Sequence, residues 1–247
     1  ELSQETKSDS KETLFTINHE AAKFYQENLI SKNGLACLEY LQERGVDKKT
    51  ADQFQVGASP NTGDALKSHL ETLGFDIQDA VAAGLLRTNP DGQIRDFFWG
   101  RLMFPIHDRR GRIAGFGGRT LDGSNPKYIN TAATSVFDKK SILYGLDKSV
   151  DSIRKQDTAI IVEGYMDVIT AHEHGYQNVV ASMGTALTEN QVSLLRTRAP
   201  RVVLALDADA AGQQAMLRSL RTSWQLLGGT MQDARGRARS DMKLRSG

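Results

Sequence analysis

Cysteine is almost absent from this chain of 247 residues, since Cys37 is the only one. The sequence therefore has no intrachain disulfide and no zinc site built from cysteines. Long apolar runs are missing as well, because no segment approaches the roughly 20 residues that cross a membrane. No apolar segment follows a basic start, so we expect neither a membrane anchor nor a signal peptide. A cytoplasmic location fits these absences.

An excess of one charge is also missing, because the formal net charge is only +1. This balance argues against a uniformly basic nucleic-acid-binding protein, so any such surface must be local. Hydrophobic residues make up 39% of the chain and charged residues 25%, which is ordinary for a soluble globular protein. The length is sufficient for one or two domains with a core of their own.

Three short apolar segments alternate with helical patterns in the second half of the chain. Residues 159–162, 179–182 and 202–206 have the length and β-branched content of buried strands. Thr188 and Gln191 form a capping box before the helix that joins the second and third of them. Strands separated by helices pair in parallel through right-handed crossovers. The pattern therefore predicts a parallel sheet flanked by helices.

Acidic residues stand where these strands give way to helices: Glu163, Asp167, Asp207 and Asp209. Ligands bind beyond the carboxyl ends of strands in such sheets, so the four carboxylates should share one edge. A hard divalent cation such as Mg²⁺ relieves their repulsion. Asp209 alone could instead be a helix N-cap, and Asp167 a first-turn acid that favours the helix dipole. Glu163 has no comparable structural role.

The segments EGYMD, VVASMGTALT and VVLALDADAAG, in this order, resemble the Toprim domain. That domain is shared by bacterial-type DNA primases, type IA and type II topoisomerases and some nucleases. The resemblance implies an α/β fold whose parallel sheet carries the acidic residues at its edge. The rest of the chain must decide between these enzyme classes.

A basic segment precedes this region. Residues 95–140 contain nine Lys and Arg against four Asp, a net charge of +5 within 46 residues. Residues 102–106 and 113–116 are strand-like and are separated by turn-forming residues, which predicts a hairpin. We therefore expect a mixed α+β basic subdomain before the Toprim-like sheet.

Three glycines, Gly115, Gly117 and Gly118, come directly before Arg119 at the end of this predicted hairpin. A glycine-rich turn beside an arginine can hold phosphate through backbone N–H groups and a bidentate guanidinium. We expect such a turn here. A basic strand with a solvated face is the alternative interpretation.

Three segments together, RLMFPIHDRRGRIAGFGGRTL, NPKYINTAATSVFDKKSILYGL and EGYMD, resemble the catalytic core of bacterial replicative DNA primases over residues 18–215. In that family a basic subdomain and a Toprim subdomain flank a shallow groove, where single-stranded DNA template, RNA primer and ribonucleoside triphosphates meet. The resemblance implies that Arg101, Arg119, Lys127 and Lys139 face phosphates.

The same resemblance implies roles for the acidic residues. Glu163, Asp207 and Asp209 would hold Mg²⁺ or Mn²⁺, with more than one ion expected. Asp167 would complete the surrounding shell or a second metal site. Glu163 could instead act as the general base, and both roles stay open.

Four regions follow from these patterns. We predict a polar linker or frayed end over residues 1–12, an amino-terminal subdomain over residues 13–150 and a Toprim subdomain over residues 151–227. A basic tail follows over residues 228–247, with a local net charge of +3. Our interpretation is that the chain is a fragment or a truncated product. From the resemblance we expect the family's zinc-ribbon domain, its Asp-Pro-Asp strand and its carboxyl-terminal domain, through which the replicative helicase would bind, to lie outside this chain.

The predicted function is primer synthesis at the replication fork. Two other functions stay open at this stage. One is a Toprim enzyme that cleaves nucleic acid, of the nuclease or topoisomerase type. The other is a non-catalytic module that binds single strands or a replication partner.

Overall fold

The computed structural model describes residues 2–184 and 187–206. Its first part is mainly helical, with a single 3-10 turn after the first helix. The helices are α1 (Leu2–Leu29), α2 (Leu35–Glu43), α3 (Lys48–Gln53), α4 (Ala65–Thr72) and α5 (Ile77–Ala82). Within the described residues, no helix has the length and apolarity that crossing a membrane requires.

The long helix α1 differs from the linker or frayed end predicted over residues 1–12, because it already begins at Leu2. Leu14, Ile17, Ala21 and Tyr25 form its buried face, so packing stabilises the helix from its middle onward. Once a helix has nucleated, adding residues is inexpensive. The Glu, Gln and Lys residues of the polar start are good helix formers, which explains why the helix extends through them.

Two antiparallel sheets accompany these helices, and their first strand lies between α3 and α4. Their strands are β1 (Gly57–Ala58), β2 (Leu86–Thr88), β3 (Ile94–Asp96), β4 (Arg101–His107), β5 (Ile113–Thr120) and β6 (Tyr128–Asn130). Strands β2 and β3 form a hairpin, and the larger sheet has the order β1-β4-β5-β6. The predicted hairpin of residues 102–106 and 113–116 is confirmed as β4 and β5. Both strands are buried along almost their whole length, on both faces.

The glycines of β5 do not form the predicted phosphate-binding turn. Gly117 lies inside the strand, where it is in register with residues of both β4 and β6. A Cβ atom on Gly117 would lie 2.3 Å from Cζ of Tyr165, and one on Gly118 would lie 2.9 Å from Cδ1 of Phe98. The turn prediction is therefore wrong: these glycines make room for aromatic rings that pack on the sheet.

The second part contains α6 (Leu146–Gln156), α7 (Tyr165–Glu173) and α8 (Glu189–Arg196). Its strands are β7 (Thr158–Val162), β8 (Val179–Ala181) and β9 (Arg201–Leu204). They form a parallel sheet with the order β8-β7-β9. The predicted strands and the α/β class are confirmed, as is the capping box of Thr188 and Gln191 at the start of α8. The predicted basic tail lies outside the described residues.

Tyr165, the first residue of α7, joins the two parts. Its ring stacks on Phe104 of β4, with a centroid distance of 4.8 Å and an interplanar angle of 3°. The edge of Tyr144 contacts it at the same centroid distance, and its hydroxyl donates a hydrogen bond to Asn130 Oδ1. The antiparallel and parallel sheets therefore share one hydrophobic core.

A second contact between the parts is polar and buried. His107 Nε2 lies 2.8 Å from Gln55 Oε1, and His107 Nδ1 lies 3.7 Å from Asp147 Oδ2 on α6. Lys148 Nζ pairs with the same carboxylate at 2.6 Å. Burial lowers the pKa of His107 to about 4, and the positive charge of Lys148 adds to this shift. His107 is therefore neutral near pH 7.

The amino-terminal end of α8 holds a 3-10 turn, Lys139–Ser141, that precedes α6. Gln191 is completely buried, and its Nε2 donates hydrogen bonds to the carbonyl oxygens of Lys139 at 3.0 Å and Ile142 at 2.8 Å. Thr188 Oγ1 donates to the carbonyl oxygen of Lys140. The position of this basic turn is thus set by a helix of the parallel-sheet part.

Candidate active site

The acidic edge of the parallel sheet begins with Glu163, which directly follows β7 and is half-buried. Gly164 has an extended conformation and caps α7, and its N–H donates to Asp167 Oδ2 at 2.9 Å. This hydrogen bond fixes the Asp167 carboxylate in the first turn of the helix. Glu163 and Asp167 therefore lie at the carboxyl end of the central strand.

The neighbouring strand β9 reaches the same edge. Leu204 is in register with Ile161, and the N–H of Ala205 donates to the carbonyl oxygen of Ile161 at 2.9 Å. Asp207 and Asp209 lie outside the described residues.

The donor atoms at this edge suit a hard divalent cation. Glu163 and Asp167 supply carboxylate oxygens, which Mg²⁺ and Mn²⁺ accept as ligands. Across the described ranges, no three His, Cys, Asp or Glu side chains gather closely enough to hold a metal ion by themselves. Two described carboxylates thus fit part of a metal site, and Asp207 and Asp209 stay predicted ligands.

Arg119 of β5 lies between two tyrosines. Its Nη1 donates to the hydroxyl of Tyr40 on α2 and, at 3.2 Å, to the hydroxyl of Tyr128 on β6. The guanidinium carbon is 4.3 Å from the ring centroid of Tyr40 and 5.6 Å from that of Tyr128. Arg119 Nε is buried and has no hydrogen-bond partner in the part of the chain that the structure describes.

A cavity of about 530 Å³ opens beside Arg119, between α2 and the segment that connects β5 to β6. This volume is within the range of small-ligand sites. Its charged and polar lining includes Glu39, Tyr40, Glu43, Arg119, Ser124 and Lys127. The two cationic side chains, Arg119 and Lys127, therefore line the same cavity.

Arg101 and Lys139 are placed differently from Arg119. Arg101 Nη1 donates to the carbonyl oxygens of Pro126 at 3.2 Å and Lys127 at 3.4 Å, so it supports the segment that carries Lys127. Burial lowers the pKa of Arg101 and also that of Lys139. Neither residue is part of the cavity lining, so at this cavity Arg101 supports the chain instead of making the predicted phosphate contact, and the contact predicted for Lys139 stays a prediction.

Tyr128 lies between Arg119 and the acidic edge of the parallel sheet. It accepts the hydrogen bond from Arg119, and its ring centroid is 6.2 Å from that of Tyr165 beside the acidic edge. Burial is the main cause of its raised pKa; Arg119 opposes this shift, and the negative charge of Asp167 adds to it. The Arg119 cavity and the carboxylates are therefore neighbours across one tyrosine.

Sequence reasoning missed the roles of Tyr40 and Tyr128 in this site. Tyr40 is separated from Arg119 by 79 residues, so no local pattern indicates their contact. Tyr128 belongs to the NPKYIN segment that supported the family resemblance, and this was the one available signal.

Comparison with known proteins gives two family matches. Residues 24–150 match the family described as the DNA primase catalytic core, N-terminal domain. Residues 157–236 match the Toprim domain. The antiparallel and parallel sheets thus correspond to the two parts of a primase catalytic core.

Individual relatives agree with this class. The DNA primase of Deinococcus radiodurans is 43% identical over 84% of this chain and 36% of its own length. That of Listeria monocytogenes is 42% identical over 87% of this chain and 34% of its own length. The chain spans about a third of the length of these relatives.

Solved structures are also similar. A DnaG primase catalytic domain bound to single-stranded DNA has a TM-score of 0.81 and 33% identity, over 90% of this chain and 70% of that one. The RNA polymerase domain of Mycobacterium tuberculosis DnaG, bound to double-stranded DNA with a 6-nucleotide overhang, has a TM-score of 0.78 and 35% identity, over 84% of this chain and 67% of that one. This chain therefore belongs to the bacterial DNA primase family, as the sequence resemblance predicted.

Proposed function

We propose that this chain synthesises short RNA primers on single-stranded DNA from ribonucleoside triphosphates. The observation that carries the proposal is the position of Tyr128, which accepts a hydrogen bond from Arg119 and whose ring lies 6.2 Å from that of Tyr165 beside the acidic edge. A cation that can bind phosphate, beside the carboxylate edge, suits phosphoryl transfer. The relative bound to single-stranded DNA supports a single-stranded template, and the relative bound to double-stranded DNA with an overhang supports DNA binding.

The proposed reaction is nucleotidyl transfer. The 3′-oxygen of the primer bonds to the α-phosphorus of the incoming nucleotide, the bond to the pyrophosphate leaving group breaks, and the hydroxyl proton departs. Arg119 and Lys127 hold phosphate oxygens through charge-assisted hydrogen bonds. Glu163 accepts the proton or binds metal, while Arg101 holds the segment that carries Lys127 in place.

The cation is Mg²⁺ or Mn²⁺, with more than one ion in the site. When bound, it lowers the pKa of the attacking hydroxyl and neutralises charge on the leaving phosphates. Glu163, Asp207 and Asp209 are the proposed ligands. Asp167, already held by the N–H of Gly164, completes the surrounding shell or a second site.

The wider setting is part of the same proposal. The subdomains cover residues 13–150 and 151–227, and Lys139 faces phosphates of the template or primer. The partners are template, RNA primer, triphosphates and, through a further carboxyl-terminal domain, the replicative helicase. The location is the replication fork in the cytoplasm. Relatives described as DNA primases support the role in priming DNA replication.

The test is incubation with single-stranded template, labelled ribonucleotides and Mg²⁺ or Mn²⁺. We expect labelled primers, and we expect Asp207→Asn/Asp209→Asn to abolish them while the fold stays intact. Cleaved template would favour a nuclease or topoisomerase instead. Neither product, together with retained strand binding, would favour a non-catalytic binding module.

A further inference from the structure

Tyr40 contacts Arg119 in two ways, although it belongs to the helical part of the molecule. Its hydroxyl accepts a hydrogen bond from Arg119 Nη1, and its ring centroid lies 4.3 Å from the guanidinium carbon. Both residues line the cavity beside α2. A single side chain of α2 therefore contacts the cation that faces the cavity.

These contacts restrict the guanidinium. A guanidinium has five N–H donors in one rigid plane, so fixing one nitrogen and one face also orients the remaining donors. Tyr40 and Tyr128 both accept from Nη1, and both rings lie near the guanidinium carbon. Arg119 Nε, buried and unpartnered among the described residues, has lost hydration without gaining a protein acceptor. A ligand oxygen in the cavity would find this cation already oriented.

We propose that Tyr40 is a positioning residue, which holds the guanidinium of Arg119 in the orientation that binds phosphate oxygens in the cavity. The inference deepens the proposed function, because it assumes a phosphate-bearing ligand. Both a nucleoside triphosphate and a nucleic-acid strand have that chemistry. An oriented cation binds more tightly because less conformational freedom is lost on binding.

Four proteins test the proposal: the unsubstituted chain, Tyr40→Phe, Arg119→Ala and the double variant. Tyr40→Phe keeps the ring and removes only the hydroxyl acceptor. Tyr176→Phe is the matched control, because Tyr176 is 60% exposed and is not part of the cavity lining. Dissociation constants are measured for two separate probes, ATP with Mg²⁺ and a single-stranded oligothymidylate. Urea unfolding of each variant reports stability independently.

We expect Tyr40→Phe to weaken at least one probe by about two- to tenfold, as the loss of one hydrogen bond does. In the Arg119→Ala background the same change should have almost no effect, because the residue that Tyr40 orients is gone. Weaker ATP binding identifies a triphosphate in the cavity, and weaker oligothymidylate binding identifies a strand. Tyr176→Phe should change neither constant.

Three results would overturn the proposal. One is normal binding by Tyr40→Phe where Arg119→Ala binds weakly. Another is a loss from Tyr40→Phe that persists undiminished in the Arg119→Ala background, since this indicates a general structural effect. The third is an Arg119→Ala variant that binds both probes normally. Primer synthesis is assayed separately. Energetic coupling between Tyr40 and Arg119 without primer synthesis would contradict the proposed function alone. Primer synthesis without this coupling would contradict the positioning role alone.

Discussion

Strands β7 and β8 of the parallel sheet and β4 and β5 of the antiparallel sheet are buried on both faces, but the two sheets expose their functional groups in different ways. The parallel sheet has apolar strands, and Glu163 and Asp167 follow its central strand. The antiparallel sheet has Arg119 within a strand, on the side where α2 and β6 bring tyrosines to it. The parallel sheet thus carries its candidate functional groups at the end of a strand, and the antiparallel sheet carries Arg119 within a strand.

The difference also concerns what fills the space between the sheets. Gly117 leaves the surface of the antiparallel sheet flat where the ring of Tyr165 lies. Tyr165 is in turn the second residue after Glu163, at the start of α7. The acidic edge therefore packs, through Tyr165, on the sheet that carries Arg119. Substitutions in the two sheets should have distinguishable effects.

The largest effect is expected from Glu163→Gln at the acidic edge. Glutamine retains the size of the side chain but can neither accept the proton nor bind metal as a carboxylate. We expect primer synthesis to fall by about 10²- to 10⁴-fold, the contribution typical of a positioned acid–base group. The free energy of unfolding should change little. Glu27→Gln, on the exposed face of α1, is the control, and full activity of Glu163→Gln would remove this residue from the proposed site.

Gly117→Ala should mainly affect stability. The new Cβ would meet the ring of Tyr165 at 2.3 Å, within a buried strand that cannot move aside. We expect a loss of about 1–3 kcal/mol in the free energy of unfolding, as is typical of overpacked cores. Urea denaturation measures it.

Gly63→Ala is the matched control for this change, because its nearest neighbour, Cδ of Arg95, would be 3.8 Å from the added carbon. It should alter the free energy of unfolding by less than about 0.5 kcal/mol. If the two variants were equally stable, the close packing of Tyr165 on the antiparallel sheet would be contradicted.

Comparing Arg119→Ala with Arg101→Ala separates two roles within the antiparallel sheet. Arg119→Ala should weaken binding of a phosphate-bearing ligand by about 1–3 kcal/mol, the range of charge-assisted hydrogen bonds. It should also reduce the salt dependence of binding, because one phosphate contact is lost. Arg101→Ala should leave the salt slope nearly unchanged and lower stability, since its guanidinium donates to backbone carbonyls. Titrations over a salt series would contradict this distinction if both variants changed the slope equally.

A pH dependence of stability is expected at the polar contact between the two parts. The pKa of His107 is lowered to about 4 in the folded protein, against about 6.5 in the unfolded chain. Between these pH values the unfolded state binds more protons than the folded state. The contribution of neutral His107 to the free energy of unfolding is therefore present above pH 6.5 and is lost as the pH falls toward 4. The slope from this residue is at most about 1.4 kcal/mol per pH unit.

His107→Gln should flatten the dependence of unfolding free energy on pH in that window. Urea unfolding at pH 7 and pH 5 measures the change. An unaltered slope would mean that the buried neutral state of His107 does not contribute to it.

The sequence predicted the parallel sheet closely, because buried parallel strands appear as short apolar runs between helices. The observed strands β7, β8 and β9 differ from the predicted segments by at most two residues at any end. The length of β5 could not be predicted in the same way, since glycine weakens strands and suggests turns. Only the distant ring of Tyr165 explains why Gly117 is there.

The charged residues of the candidate site could be predicted from the sequence better than the residues that hold them in place. Glu163 and Arg119 stand out locally, by their position after an apolar run and within a basic segment. The contacts of Arg119 with Tyr40 and of Tyr165 with Asn130 join residues 79 and 35 positions apart. Such pairs follow from the packing of whole elements, which a single sequence does not reveal.

The two carbonyls bound by Gln191 make the turn around Lys139 part of the same cooperative unit as α8. A fluctuation that unwinds the start of α8 must release this turn, because Gln191 and Thr188 both bind it. Local opening of α8 would therefore displace a lysine of the basic segment that it contacts. Lys139 keeps its position only while the first turn of α8 is folded. The stability of this helix therefore determines where that positive charge lies.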